Sequence, residues 1–205
     1  MNEPILHGIF PTPILIANIG REFTDKEKKF IDLQKKSTIK NEGNITSVDN
    51  YVMMNKQMEK LHKDLLILIN YYIDKIIIPS EDVTPYITQS WLNWTEKNQY
   101  HHKHSHPNSF LSGVLYISAE ENKDKITFFN DGYEQIKLYP KEWNLYNSNS
   151  WFFNIKQGDI IIFPSSLSHM VQQTESDDTR ISLSFNTFLK GKIGIASKLT
   201  ELLNP

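Results

Sequence analysis

Apolar positions follow two different rhythms along the chain. Met58, Leu61, Leu65, Leu68, Tyr72 and Ile76 recur at three- and four-residue steps, which predicts a helix with one buried stripe over 56–77, closed by Pro79. Thr24 ahead of Asp25 and Glu27, with Phe30 and Leu33 at helical spacing, predicts a shorter helix over 24–36. Residues 5–17, ILHGIFPTPILIA, are rich in β-formers, but Pro11 and Pro13 cannot donate to a ladder, so the segment reads as an edge strand or a bent arm. Residues 41–55 are polar and read as loop. From Tyr86 the rhythm changes to short β-like runs at 86–96, 109–118, 125–130, 134–139, 151–155, 159–164, 168–174 and 180–189, parted by Asn, Asp, Gly and Pro turns. A short helix over 194–203 closes the pattern.

Helices first and strands afterwards predict an α+β fold, mainly β, in which N-terminal helices pack on one sheet of a sandwich or jelly roll. With 205 residues, one domain over 1–205 is expected, with helical support at about 24–77 and a β core at about 86–189. The run 180–189 sharpens this. Arg180, Ser182, Ser184 and Asn186 are polar and share one face, while Ile181, Leu183 and Phe185 share the other. One face therefore lines something wet or functional, and the other packs.

Composition removes several function classes. There is no cysteine, so a disulfide framework, a catalytic thiol and thiolate metal ligation are all excluded, and a metal must take nitrogen and oxygen ligands. A formal charge of -2, from 22 basic and 24 acidic residues, provides no footprint for a polyanion and argues against nucleic acid. The opening MNEPILHGIFPTPILIANIG has Glu3, three prolines and no basic leader, so it reads as strand rather than signal peptide. No apolar run approaches the roughly 18 residues of a membrane span, which gives the expectation of a soluble, cytoplasmic protein.

Four of the seven histidines crowd into QYHHKHSHP, residues 99–107. On an extended chain His102, His104 and His106 point one way and His101 the other, so two overlapping HxH pairs are available for a metal. Spacing alone does not choose between them, and a solvated histidine-rich loop is the plain alternative. Further on, Gly158-Asp159 turns into the apolar run Ile160–Phe163, Pro164 ends it, and His169 opens the next strand. Arg180 follows on the polar face. It either forms a surface pair with Glu175, Asp177 or Asp178, or faces into a barrel, where it needs a carboxylate or phosphate partner.

Taken together, His104-Ser105-His106-Pro107, Ser112-Gly113-Val114-Leu115-Tyr116, Gly158-Asp159, Phe163-Pro164, His169, Arg180-Ile181-Ser182 and Asn186 resemble a branch of the Fe(II)- and 2-oxoglutarate-dependent oxygenases. The resemblance spans roughly Trp91 to Phe188. It implies a double-stranded β-helix in which His104, His106 and His169 hold Fe(II). It further implies that Arg180, with Ser182 and Tyr116, grips the distal carboxylate of the co-substrate 2-oxoglutarate. His104, His106, Ser112, Val114 and Tyr116 are all even-numbered and share a face if the chain stays extended through Pro107. One departure stands out: His106 occupies the place where such sites usually carry a carboxylate. Three histidines also suit catalytic zinc. Asp131 and Asp159 are carboxylates at the wrong spacing.

The implied reaction is a hydroxylation using dioxygen, with release of succinate and CO2. Trp91 and Asn93 share a strand face and are candidates to touch substrate, with core packing the alternative for Trp91. Peptide, nucleotide, sugar and small metabolite all remain open as substrate classes, and the resemblance admits both monomer and homodimer. Two rivals stand beside this reading. One is a cupin-type metalloprotein that does not use 2-oxoglutarate. The other is a non-catalytic jelly-roll binding module.

Overall fold

The computed structural model describes residues 3–132, 136 and 138–204. In chain order the strands are β1 (Leu15–Asn18), β2 (Thr38–Lys40), β3 (Ile45–Ser47), β4 (Val83–Thr95), β5 (His101–His104), β6 (Leu111–Ser118) and β7 (Lys125–Phe129). They continue as β8 (Ser150–Asn154), β9 (Asp159–Pro164), β10 (His169–Val171), β11 (Arg180–Ile193) and β12 (Leu202–Asn204). The helices are α1 (Asp25–Gln34) and α2 (Glu59–Tyr72).

Among the described residues the strands form two sheets of a jelly roll. The larger runs β1-β9-β6-β11-β4-β3-β2, with β12 on the far end of β11, and the smaller runs β5-β10-β7-β8. The central strands of the large sheet, β6 and β9 above all, are buried on both faces, and side-chain alternation assigns each residue to one of them. Leu183 and Phe185 of β11, Leu111 and Leu115 of β6, and Ile160 and Ile162 of β9 join Leu61, Leu65 and Ile69 of α2 in one core. Val114, Tyr116, Ile161 and Phe163 face the other way and meet Ile126 and Phe128 of the small sheet. Gly113 sits on the helix side of β6. A Cβ there would lie 2.2 Å from Phe185 Cζ, so the glycine makes room for that ring.

Thr24 caps α1 as its spacing predicts. Its hydroxyl accepts from the Glu27 amide at 3.3 Å while the Glu27 carboxylate accepts from the Thr24 amide at 2.7 Å. The apolar stripe of 56–77 is α2 extended by a single-turn 3-10 start and a π-helical turn at Ile73–Ile77, with Ile78 left-handed (φ 48°) just before Pro79.

The 5–17 segment enters the large sheet as the expected edge strand, but only from Leu15, where β1 pairs with β9; Pro11 and Pro13 before it cannot donate to a ladder. Two expectations need correction. The loop expected over 41–55 contains β3, which carries the large sheet outward from β4. The closing helix over 194–203 is instead a reversal. Gly194 takes a positive φ of 80°, Leu199 is left-handed, and β12 folds back on β11. Of the strand expected over 134–139, positions 134, 135 and 137 lie outside the described residues, and positions 136, 138 and 139 are not in a strand. No helix among the described residues is long and apolar enough to cross a membrane.

Candidate metal centre

β5 lies beside β10 at the edge of the small sheet, and His104 pairs directly with His169. The next matched pair is His101 with Val171, so three steps on β5 oppose two on β10. This is a β-bulge, and it reverses the side-chain phase of one residue. Alternation places His101 on the opposite face from His104; the bulge returns it, and the two rings stack at 4.7 Å between centroids. After His104 the chain does not stay extended. It turns at Pro107 and Asn108 (φ 57°), yet His106 still swings back to the same cluster.

His104, His106 and His169 bring one ring nitrogen each to within 4.8 Å of one another. Their hydrogen bonds decide which nitrogen is free. His104 Nδ1 lies 2.8 Å from the His102 carbonyl, and His169 Nδ1 lies 3.0 Å from the Leu167 carbonyl. A carbonyl only accepts, so both Nδ1 atoms carry the proton and both Nε2 atoms present lone pairs. His106 Nδ1 donates to Asn186 Oδ1 at 2.5 Å, with Ser112 Oγ 2.9 Å from the same nitrogen. Ser112 is in turn tied to Ser165 Oγ at 2.8 Å.

All three rings stay neutral. Burial pushes His169 down to about 3 and His106 down to about 4, and protonated neighbouring rings would add to the effect. His104 is lowered for the same first reason. Neutral imidazole is the ligating form, and three such nitrogens suit Fe(II) or Zn2+. Among the described residues no carboxylate joins the cluster. Asp131 pairs with Lys103, and Asp159 accepts from Asn18 Nδ2 and the Lys156 amide.

Two hollows meet at the histidines. An open cleft of about 630 Å3 is lined by Asn41, Gln89, Trp91, Asn108 and Asn186 among others. A recess of about 30 Å3 runs inward past Tyr116, Ser182 and Ser184, and Trp91, His101, His104 and His106 border both. Tyr116 and Ser182 are direct cross-strand neighbours. The Tyr116 hydroxyl is buried without a hydrogen-bond partner, and burial pushes its pKa up, so it remains a proton donor.

Arg180 is buried near Tyr116 but is not on the surface of the recess. Its Nη1 donates to Asp124 Oδ1 at 2.9 Å, and both side chains are almost wholly inaccessible. The surface partners weighed for Arg180 are not used; Asp177, for one, pairs with Lys97. Asp124 carried no signal of its own in the sequence beyond the demand that a buried guanidinium find a carboxylate. Asn186 stood in the motif without a role, and the structure shows it holding His106. Trp91 is half-buried at the cleft, 5.7 Å from the His106 ring. Asn93 is buried, donates to Ser184 Oγ at 3.1 Å, and lines neither hollow.

Residues 89–186 match the family model described as "Putative 2OG-Fe(II) oxygenase". Over that stretch, just under half of the chain, the protein is similar to the 2OG-Fe(II) oxygenases. Among solved structures, a 2OG-Fe(II) oxygenase family oxidoreductase from Burkholderia pseudomallei superposes with a TM-score of 0.51 at 13% identity, over 85% of this chain and 83% of that one. SnoN, a non-haem alpha-ketoglutarate-dependent epimerase from nogalamycin biosynthesis, gives a TM-score of 0.60 at 10% identity, over 86% of this chain and 76% of that one. At these identities the likeness shows the fold, the double-stranded β-helix jelly roll. No curated protein sequence matches the chain. The family match implies Fe(II) and 2-oxoglutarate as metal and co-substrate, and three converging imidazole nitrogens are a donor set that fits the metal.

Proposed function

We propose that the protein is a non-haem Fe(II)- and 2-oxoglutarate-dependent dioxygenase that hydroxylates its substrate with release of succinate and CO2. The observation that carries this reading is the set of three histidines that bring one ring nitrogen each to within 4.8 Å of one another and whose Nδ1 atoms are each hydrogen-bonded to an oxygen. His104, His106 and His169 would hold the metal. When bound, Fe(II) and 2-oxoglutarate supply dioxygen activation coupled to oxidative decarboxylation.

The chain's own residues do the positioning. Asn186 and Ser112 fix the His106 ring, and the strand pair His104–His169 fixes the other two. Tyr116 would donate its unpartnered hydroxyl to the distal carboxylate of 2-oxoglutarate, beside Ser182, with the Arg180 charge behind them. The recess alone accommodates about two waters, so a five-carbon dicarboxylate would span recess and cleft. Substrate would enter by the cleft, where the Trp91 ring and the carboxamides of Asn41, Gln89 and Asn108 suit a polar small molecule or peptide. The same wall keeps bulk water from the reacting centre once substrate covers it.

The Arg180–Asp124 pair favours a second reading, a cupin-type metalloprotein that does not take 2-oxoglutarate, because the guanidinium already has its carboxylate. One experiment separates the two. Titrating 2-oxoglutarate into anaerobic Fe(II)-loaded protein is expected to raise a weak metal-to-ligand charge-transfer band, and admitting oxygen should then yield succinate. Metal binding with neither band nor succinate would overturn the dioxygenase reading in favour of the second.

A further inference from the structure

The bulge in β5 assembles a second group of rings that the proposed chemistry leaves unused. His101, His102 and His104 also bring one ring nitrogen each to within 4.8 Å of one another. Their centroids lie 4.7 Å (His101–His104), 4.9 Å (His102–His104) and 5.2 Å (His101–His102) apart. His102 Nδ1 is buried without a hydrogen-bond partner, and the nearest carboxylate oxygen, Glu42 Oε2, stands 3.8 Å away. A buried ring nitrogen with no partner is rare unless a ligand completes it. His101 Nε2 lies 3.4 Å from Asn41 Nδ2, a weak contact in which the amide donates to the ring, so an ion held by that nitrogen replaces the amide.

We propose that His101, His102 and His104, with Glu42 at the rim, form a second divalent-cation site that shares His104 with the inner triad. Three imidazoles and one carboxylate are a four-coordinate set suited to Zn2+. His104 Nδ1 is committed to the His102 carbonyl, so His104 has a single lone pair, on Nε2. A neutral imidazole with one lone pair serves one ion at a time. The two sites are therefore mutually exclusive, and Zn2+ in the outer site takes from the inner site one of its three ligands. The inner triad is the site of the proposed function. The outer one rests on the ring geometry and the unpartnered His102 Nδ1, and can be tested apart from it.

The test is calorimetric titration of Zn2+ into the chelator-treated full-length protein and its variants, each checked for native near-ultraviolet circular dichroism. Wild type is expected to bind one Zn2+ per chain. The inner-site variant His106→Ala/His169→Ala should still bind one, and adding His101→Ala/His102→Ala should weaken that binding at least tenfold. His104→Ala should weaken binding at least tenfold as well, because both triads lose a ligand. A natively folded inner-site variant that binds no Zn2+, or binds it equally with His101 and His102 replaced, would overturn the outer site. Two ions per wild-type chain would overturn the sharing of His104. His101→Ala/His102→Ala alone reports on the inner triad: if it binds nothing, the inner reading fails while the outer one stands. Should His106→Ala/His169→Ala not fold, the polar pair His106→Asn/His169→Asn replaces it with the same expectations.

Discussion

Acid should unfold the metal-free protein well above the pH at which its carboxylates protonate. Burial, reinforced by neighbouring rings, lowers His169 to about 3, His101 to about 3 and His106 to about 4, from 6.5. In the unfolded chain each returns to its ordinary value, so below pH 6.5 the unfolded state binds more protons and native stability falls. The loss begins as pH drops through 6.5 and continues until about 3 to 4, where the folded rings themselves titrate. At pH 5 each histidine has lost about 1.5 units of protonation free energy, or about 2 kcal/mol. Three of them sum to about 6 kcal/mol, which is comparable to the total stability of a typical domain, about 5–15 kcal/mol. Urea titrations of chelator-treated protein at pH 7, 6 and 5 measure the slope directly. His169→Gln should remove about one third of it. A stability constant to within about 1 kcal/mol from pH 7 to 5, or an undiminished slope in His169→Gln, would refute the picture of a neutral, buried histidine cluster.

Asp124→Asn leaves a buried guanidinium without its counter-charge and should cost about 3–5 kcal/mol in chemical denaturation; a loss under about 1 kcal/mol would mean that Arg180 finds another partner. Replacing both charges, Asp124→Leu with Arg180→Met, should restore most of that stability. If Arg180 serves the co-substrate, the double variant should bind metal normally and lose the 2-oxoglutarate charge-transfer band; loss of both would make the pair purely structural. Asn186→Ala frees the His106 ring and should weaken metal affinity about 10–100-fold by calorimetry, and an unchanged affinity would show that Ser112 suffices. Gly113→Ala forces a methyl to 2.2 Å from Phe185 and should cost about 1–3 kcal/mol in thermal unfolding, part of it recovered by Phe185→Leu.

Periodicity made the two helices and most of the long strands legible, because a buried stripe at period 3.6 and an alternating face at period 2 are imposed by packing itself. Thr24–Glu27 marked the start of α1 within a residue. Positions 180–186 likewise separated the polar from the packed side of β11, and the structure puts the packed side against the helices. Two kinds of feature were not legible. The first is a local break in phase: the β5 bulge depends on how two strands register, and nothing within His101–His104 announces it. The second is a long-range pairing. Asp124 sits in the turn before β7, 56 residues from Arg180, and only the folded sheet brings them together. The closing helix was misread for a related reason. Residues 194–203 resemble a helix in isolation, but the reversal at Gly194 lets Leu202–Asn204 satisfy the edge of β11 instead.

The Arg180–Asp124 pair also bears on the order in which the centre is assembled. Three uncharged rings and a guanidinium already matched by a carboxylate leave the recess with no net charge. A dianion approaching the metal-free protein meets no attraction strong enough to offset its dehydration. Once a divalent cation sits on the histidines, the balance changes by two units of charge. Loading should therefore be sequential, cation first and dicarboxylate second, and equilibrium dialysis of labelled 2-oxoglutarate against metal-free and Mn2+-loaded protein should show retention only by the loaded form.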